Sequence, residues 1–226
     1  MLASRVTISE LLHDESVRRT LSERYRAGVA DAVRAYAEAP GDGEAATAAL
    51  GRALAGQGEL ALADGRIVRW ATRYRKLSGR GGRAPERNLG AEGLFEIEME
   101  DEEKDKSRKT LPFTAWTGTP DYAEALLRGQ AKRLHAFPGG GVVVSYRPAG
   151  YVAVDAGLVA EGDATGGDEV DLAHVLAKDF VECRRGSTLY LFEPSLGGVL
   201  LVHGSFVTVR RWSPRHRVRT TLRISG

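Results

Sequence analysis

The stretch from Leu94 to Tyr146 constrains the fold more than any other part of the chain. Leu94 to Met99 alternates apolar and acidic residues, as a half-buried strand does, and places Glu96 and Glu98 on one side. The charged run from Glu100 to Lys109 reads as an exposed hairpin loop, and Thr110 to Trp116 as the returning antiparallel strand. Thr119 and Pro120 suit the cap and first turn of a helix lined on one side by Ala123, Leu126, Leu127, Ala131 and Leu134. Pro138-Gly139-Gly140-Gly141 stops that helix, and the apolar run from Val142 to Tyr146 has the length of a strand. Strand, helix and strand in succession imply a right-handed crossover into a parallel pair. The expected class is therefore α/β, with a mixed central sheet.

Upstream, Val17, Leu21, Tyr25, Val29, Val33 and Tyr36 recur every three or four residues, which predicts a helix from Ser16 to about Tyr36. Pro40-Gly41-Asp42-Gly43 breaks it, and the Ala-rich stretch after Glu44 predicts a second helix ending near Gly56. Residues 1–65 thus read as an N-terminal helical appendage. Residues 66–226 read as the α/β domain with a β-rich C-terminal extension. Within it, strands are expected at Tyr151 to Val154, near Thr188 to Phe192, Val199 to Val202 and Val218 to Ile224, with a helical pattern from Val170 to Val181. No apolar run approaches the roughly 20 residues of a membrane-spanning helix. Met1 to Arg5 lacks the apolar stretch of a secretory leader, and the single Cys183 has no internal disulfide partner. A cytoplasmic protein with no membrane partner and a structural thiol is the expectation.

The net charge of +2 is small, but its distribution is uneven. Arg66, Arg69, Arg73, Arg75, Lys76, Arg80, Arg83 and Arg87 are opposed only by Glu86. Beyond Glu193 the chain has no acidic residue, while Arg210, Arg211, Arg215, Arg217, Arg219 and Arg223 accumulate there. Such clusters can neutralise phosphates and release counterions, or simply solvate a surface. Arg73, Arg75, Lys76, Arg80, Arg83, Arg210, Arg211, Arg217 and Arg219 are the nucleic-acid-binding candidates. Other chemistries find little support. Gly139-Gly140-Gly141 lacks a following Gly-Lys-Ser/Thr and precedes a strand, so it is a turn and no phosphate loop. His135, His174, His203 and His216 show no zinc-site spacing, and Ser187, Ser195 and Ser205 sit in no nucleophile elbow.

Three stretches carry a family resemblance. Gly79-Arg80-Gly81-Gly82 runs on to Leu89-Gly90-Ala91-Glu92-Gly93-Leu94-Phe95-Glu96-Ile97-Glu98; Leu111-Pro112-Phe113-Thr114-Ala115-Trp116 follows; Leu126 to Lys132 then leads to Pro138-Gly139-Gly140-Gly141-Val142-Val143-Val144. Together they resemble the PD-(D/E)XK nuclease superfamily, and in particular its Mrr-like members with a Gln-x-Lys site. The resemblance covers roughly residues 73–154 and implies a restriction-endonuclease-like core with its site at Glu92, Glu98, Thr114 and Trp116. In an active member, Glu92 and Glu98 would hold Mg2+ or Mn2+.

This chain departs from the family at the decisive positions. Glu92 stands for the usual Asp, Thr114 for Glu or Gln, and Trp116 for Lys. An indole cannot replace an ammonium beside a scissile phosphate, and loss of such stabilisation costs at least ~100-fold in rate. The resemblance therefore implies a pseudo-nuclease that needs no cofactor, with nucleic acid, chiefly DNA, as partner. By analogy it would be a subunit of a phage-defence or restriction assembly, contacting a protein there. Two alternatives stay open: an active endonuclease whose lysine is displaced to Lys104, Lys106 or Lys109, and a protein-protein interaction module. Glu96 and Glu98 can equally be the exposed face of an amphipathic strand, and Trp116 either a packing residue or a stacking platform.

Overall fold

The computed structural model describes residues 7–77, 90–100, 106–193, 198–203, 206–210 and 214–225. Its N-terminal helices are α1 (Ile8–His13), α2 (Glu15–Glu38) and α3 (Gly43–Leu54). Val17, Leu21, Tyr25, Val29 and Tyr36 of α2 are all buried, so the periodic face found in the sequence is the packing face. Helices α2 and α3 approach so closely at Gly28 that a Cβ there would lie 2.8 Å from Leu54.

These helices lie on an eight-stranded mixed sheet in the order β1-β2-β11-β3-β4-β5-β6-β7. The strands are β1 (Gly56–Ala61), β2 (Ile67–Lys76), β3 (Gly93–Glu100), β4 (Lys106–Thr117), β5 (Val142–Arg147), β6 (Gly150–Asp155), β7 (Val170–Asp171) and β11 (His216–Ser225). Strands β3 and β4 pair antiparallel, and β4 and β5 pair parallel across the crossover helix α4 (Ala125–His135). This is the expected arrangement of the Leu94, Phe113 and Val143 segments. The short helix α5 (Ala156–Glu161) follows β6. A further helix, α6 (Leu172–His174), continues as a π-helix over Val175–Phe180. Strands β8 (Tyr190–Glu193), β9 (Gly198–His203) and β10 (Phe206–Arg210) form a separate antiparallel sheet, so of the late β-prone runs only the last joins the main sheet.

The N-terminal helices share the sheet's core. One apolar cluster runs from Leu11, Leu21 and Leu50 to Phe95, Phe113, Tyr146 and Leu222. Polar contacts stitch the same layers: Tyr25 Oη meets Thr220 Oγ1 at 2.8 Å, Thr47 Oγ1 meets Tyr146 Oη at 2.9 Å, and Tyr151 Oη donates to the Ala32 carbonyl at 3.1 Å. Strand β1, although it falls within residues 1–65, pairs with β2 throughout.

Several sequence expectations are corrected. Glu100 belongs to β3 and Lys106 to Lys109 to β4 rather than to an exposed loop, and residues 101–105 lie outside the described residues. Helix α4 starts at Ala125, because Asp121 forms a local turn by accepting from Ala123 N at 2.9 Å and Glu124 N at 3.0 Å. The basic segment from Ile67, to which the sequence analysis assigned no element, is a strand, β2, whose arginines alternate with Val68, Trp70, Thr72 and Tyr74. Strand β11 inserts between β2 and β3, antiparallel to the first and parallel to the second.

Candidate nucleic-acid interface

On the face of the sheet opposite α2 and α3, its two halves differ. Helices α4 and α5 cover β4, β5 and β6 through Leu127, Ala131, Val143, Val154, Val159 and Ala160. On the other half, β1, β2, β11 and β3 line a groove of about 1020 Å³. Two-residue periodicity sends Arg69, Arg73 and Arg75 of β2 and Arg217, Arg219 and Arg223 of β11 to this side. The antiparallel register sets them directly opposite each other, as Arg75 with Arg217, Arg73 with Arg219 and Arg69 with Arg223.

Like charges facing each other across a strand pair are destabilising, so something must offset three such rows. On the β3 side it is a ladder of glutamates. Glu96 accepts from Arg217 Nε, and from Arg219 Nε at 3.3 Å. Glu98 accepts from Arg108 Nε, and from Arg219 Nη1 at 3.1 Å; Glu100 accepts from Arg223 Nε at 3.3 Å and lies 3.9 Å from Lys106. Glu96 and Glu98, expected on a half-buried strand with an exposed acidic face, are only 1% and 2% exposed. Arg217 is 6% exposed. Burial pushes the Glu96 carboxyl up to about 7 against the pull of Arg219 and Arg108, and its Oε1 has no hydrogen-bond partner among the described residues.

On the β2 side the offset is thinner. Arg69 pairs with Glu59 at 3.1 Å, but Arg73 and Arg75 are exposed and make no ion pair among the described residues. Lys76, at the end of β2, pairs with Glu44 of α3. Of the remaining sequence candidates, Arg80, Arg83 and Arg211 lie outside the described residues, and Arg210 ends β10. Arg69 and Arg223, named in the basic clusters but not among the binding candidates, line the groove with Glu100, which no sequence reading placed there. Their signal was the period of two that they share with Arg73, Arg219, Glu98 and Glu96.

The positions expected to form a nuclease site divide into two places. Glu92 precedes β3 and accepts from Ala115 N at 3.3 Å; it lines a cavity of about 260 Å³ together with Trp116. Thr114 is adjacent but fully buried, its Oγ1 without a hydrogen-bond partner among the described residues. Glu98 lies six residues further along the chain, roughly 20 Å away in an extended strand, within the arginine ladder. The structure thus does not bring Glu92 and Glu98 together around one cation. No group of three or more His, Cys, Asp or Glu is arranged to hold a metal ion among the described residues.

The candidate displaced lysines are also placed. Lys104 lies outside the described residues, and Lys106 approaches Glu100. Lys109 faces the opposite side of β4 from Glu98: its Nζ donates to the Phe180 carbonyl and sits 4.9 Å from the centre of that ring. Burial lowers its pKa. Comparison of the chain with protein-family models, curated proteins and solved structures gives no match. No helix among the described residues is long and apolar enough to cross a membrane.

Proposed function

We propose that this protein binds nucleic acid along the arginine rows of β2 and β11, on a PD-(D/E)XK-like core that no longer cleaves it. The observation that carries the reading is the pair of exposed arginines, Arg73 and Arg75, which make no ion pair among the described residues and stand opposite a row engaged by buried glutamates. Arginine forks match phosphate oxygens, and alternate strand positions repeat about every 6.7 Å, close to the step between phosphates of an extended strand. Phosphates would supply the charge that the β2 side lacks. The antiparallel β3–β4 pair, the α4 crossover and the parallel β5 support the core assignment, and Trp116 beside Glu92 supports the loss of cleavage.

The test is binding of a labelled duplex, a single-stranded DNA and an RNA between 50 and 200 mM salt, with cleavage followed in Mg2+ and Mn2+. Affinity that falls steeply with salt, without cleavage, is expected. Salt-independent binding, or none, overturns the groove; robust cleavage abolished by Glu92→Gln overturns the degenerate site. Restoring the family residues is not a clean gain-of-function trial here, since Thr114→Glu would put a carboxylate in a fully buried position.

A further inference from the structure

On the side of β4 away from the arginine groove, Lys109 is a cation taken out of water. Its side chain is only 2% exposed. Its described contacts are the Phe180 carbonyl, the face of the Phe180 ring at 4.9 Å and the Cys183 thiol, and none of these is a carboxylate. Burying an ammonium away from a counter-ion favours the neutral form, and the Lys109 pKa is lowered accordingly. A larger share of this lysine than of a surface lysine is therefore free amine, which is a nucleophile.

Cys183 meets Lys109 across one carbonyl. The chain leaves the π-helix at Phe180 and turns through Cys183, whose φ of 61° makes it the one non-glycine residue with positive φ among the described residues. Glycine is the usual residue at such a left-handed helix end, so the turn itself does not call for a cysteine. Cys183 N donates to the Phe180 oxygen at 3.4 Å, and Lys109 Nζ donates to that same oxygen. This shared acceptor holds the cysteine backbone and the lysine tip side by side. Sγ lies 3.9 Å from the Val181 carbonyl and within hydrogen-bond reach of Nζ. Cys183 is exposed, whereas the sequence suggested a structural thiol, so a small solute reaches the sulfur while the lysine beside it is buried.

We propose that Cys183 and Lys109 form a reversible oxidation site, at which a peroxide oxidises the thiol and Lys109 Nζ then closes a covalent S–N bond to Cys183 Sγ. In the first step the thiol sulfur attacks the peroxide, the O–O bond breaks, and sulfenic acid and one water result; the sulfur is oxidised and the peroxide reduced. In the second, the free amine attacks that sulfur, the S–O bond breaks, and the departing hydroxide leaves as water with a proton from nitrogen. A small thiol reverses the bond by attacking Sγ, which returns the amine to Lys109, and a second thiol releases Cys183 from the mixed disulfide. The bond ties β4 to the turn after the π-helix. It is independent of the nucleic-acid reading.

The experiment treats the intact folded chain with a small excess of hydrogen peroxide and records its mass and its peptide map. The expected product is a monomeric chain lighter by two hydrogen atoms, with the Lys109 and Cys183 peptides joined, and dithiothreitol should restore the starting mass. Lys109→Arg keeps a cation but offers no free amine, so its Cys183 should gain oxygen without any linkage; Cys183→Ser should keep its mass. The same treatment in concentrated guanidinium chloride should oxidise Cys183 without joining it to Lys109. In the wild-type folded chain, oxygen on Cys183 with Lys109 unlinked, a bond from Cys183 to a different lysine, or an unmodified thiol overturns the proposal. Because the wild-type map decides the matter, a variant that fails to fold does not shield it.

Discussion

One sheet carries two opposite solutions on the same face. Across β4, β5 and β6 the residues on that face are Val143, Val154 and the half-buried Trp116, sealed by Leu127 and Ala131 of α4. Across β2, β11 and β3 the same parity carries arginine and glutamate. The first half gains stability from apolar area removed from water, at roughly 25 cal/mol per Å². In the second, charges are removed from water, which costs free energy unless each is matched. A sheet that needed only stability would carry the first solution throughout. The second extends over three strands, and among the described residues its Arg73 and Arg75 make no ion pair.

The largest expected effect tests whether the ladder is as tightly coupled as its burial implies. Arg217→Ala should destabilise the fold by about 3–5 kcal/mol, because it leaves the buried Glu96 carboxyl with only its longer Arg219 contact. Denaturant melts measure it, and Glu96→Leu with Arg217→Met should recover most of the loss. A cost below about 1 kcal/mol for Arg217→Ala would place the pair in the class of surface bridges and remove the contrast. On the covered half, Leu127→Ala should cost about 2–4 kcal/mol through its cavity, yet leave the salt slope of nucleic-acid binding unchanged.

The two halves separate again in binding. Arg73→Glu with Arg75→Glu should reduce affinity roughly tenfold or more at 50 mM salt and flatten the salt slope by about 2, while stability moves by no more than about 0.5 kcal/mol. These exposed positions test the surface better than Arg217 and Arg219, whose guanidinium groups also hold Glu96 and Glu98 in place. Unchanged affinity and slope would reduce the groove to a structural ion-pair network.

How much of this was legible depended on whether the signal was local. The α2 face, the β3–β4 pairing and the β5 crossover follow from short-range periodicity, and the structure has them. Strand β2 carries the same kind of signal, with Val68, Trp70, Thr72 and Tyr74 alternating with charged or small residues, but its density of positive charge masks the apolar period. The burial of Glu96 and Glu98 was not local at all. It depends on β11, whose Arg219 meets Glu96 from 123 residues away. For the candidate site, the proximity of Glu92 to Trp116 follows from hairpin register, whereas the contributions of Glu44 and His216 depend on how α3 and β11 dock at the strand ends.

The smallest expected effect reads the ladder through pH. Glu96 titrates near 7 in the folded chain and at the ordinary 4.5 when unfolded, so between those values the folded state holds a proton that the unfolded state has lost. Stability from this group is fully present below pH 4.5 and declines as pH rises toward 7, by at most about 1.4 kcal/mol per pH unit and by under ~1 kcal/mol between pH 6 and 7. His216 works in the opposite direction: its pKa is depressed in the fold, so its contribution grows as pH rises toward 6.5. Glu44 and Glu169, whose pKa values are lowered by Lys76 and Arg147, lose their contributions only as pH falls below about 4.5, outside this window. Comparing wild type with Glu96→Gln at pH 5, 6, 7 and 8 cancels the histidine and isolates the glutamate. The difference in unfolding free energy should shift in favour of Glu96→Gln as pH rises and level off above 7. A flat difference would mean that Glu96 is ionised throughout, its two arginines outweighing desolvation, and the charged half of the sheet would then be a stabilising element in its own right.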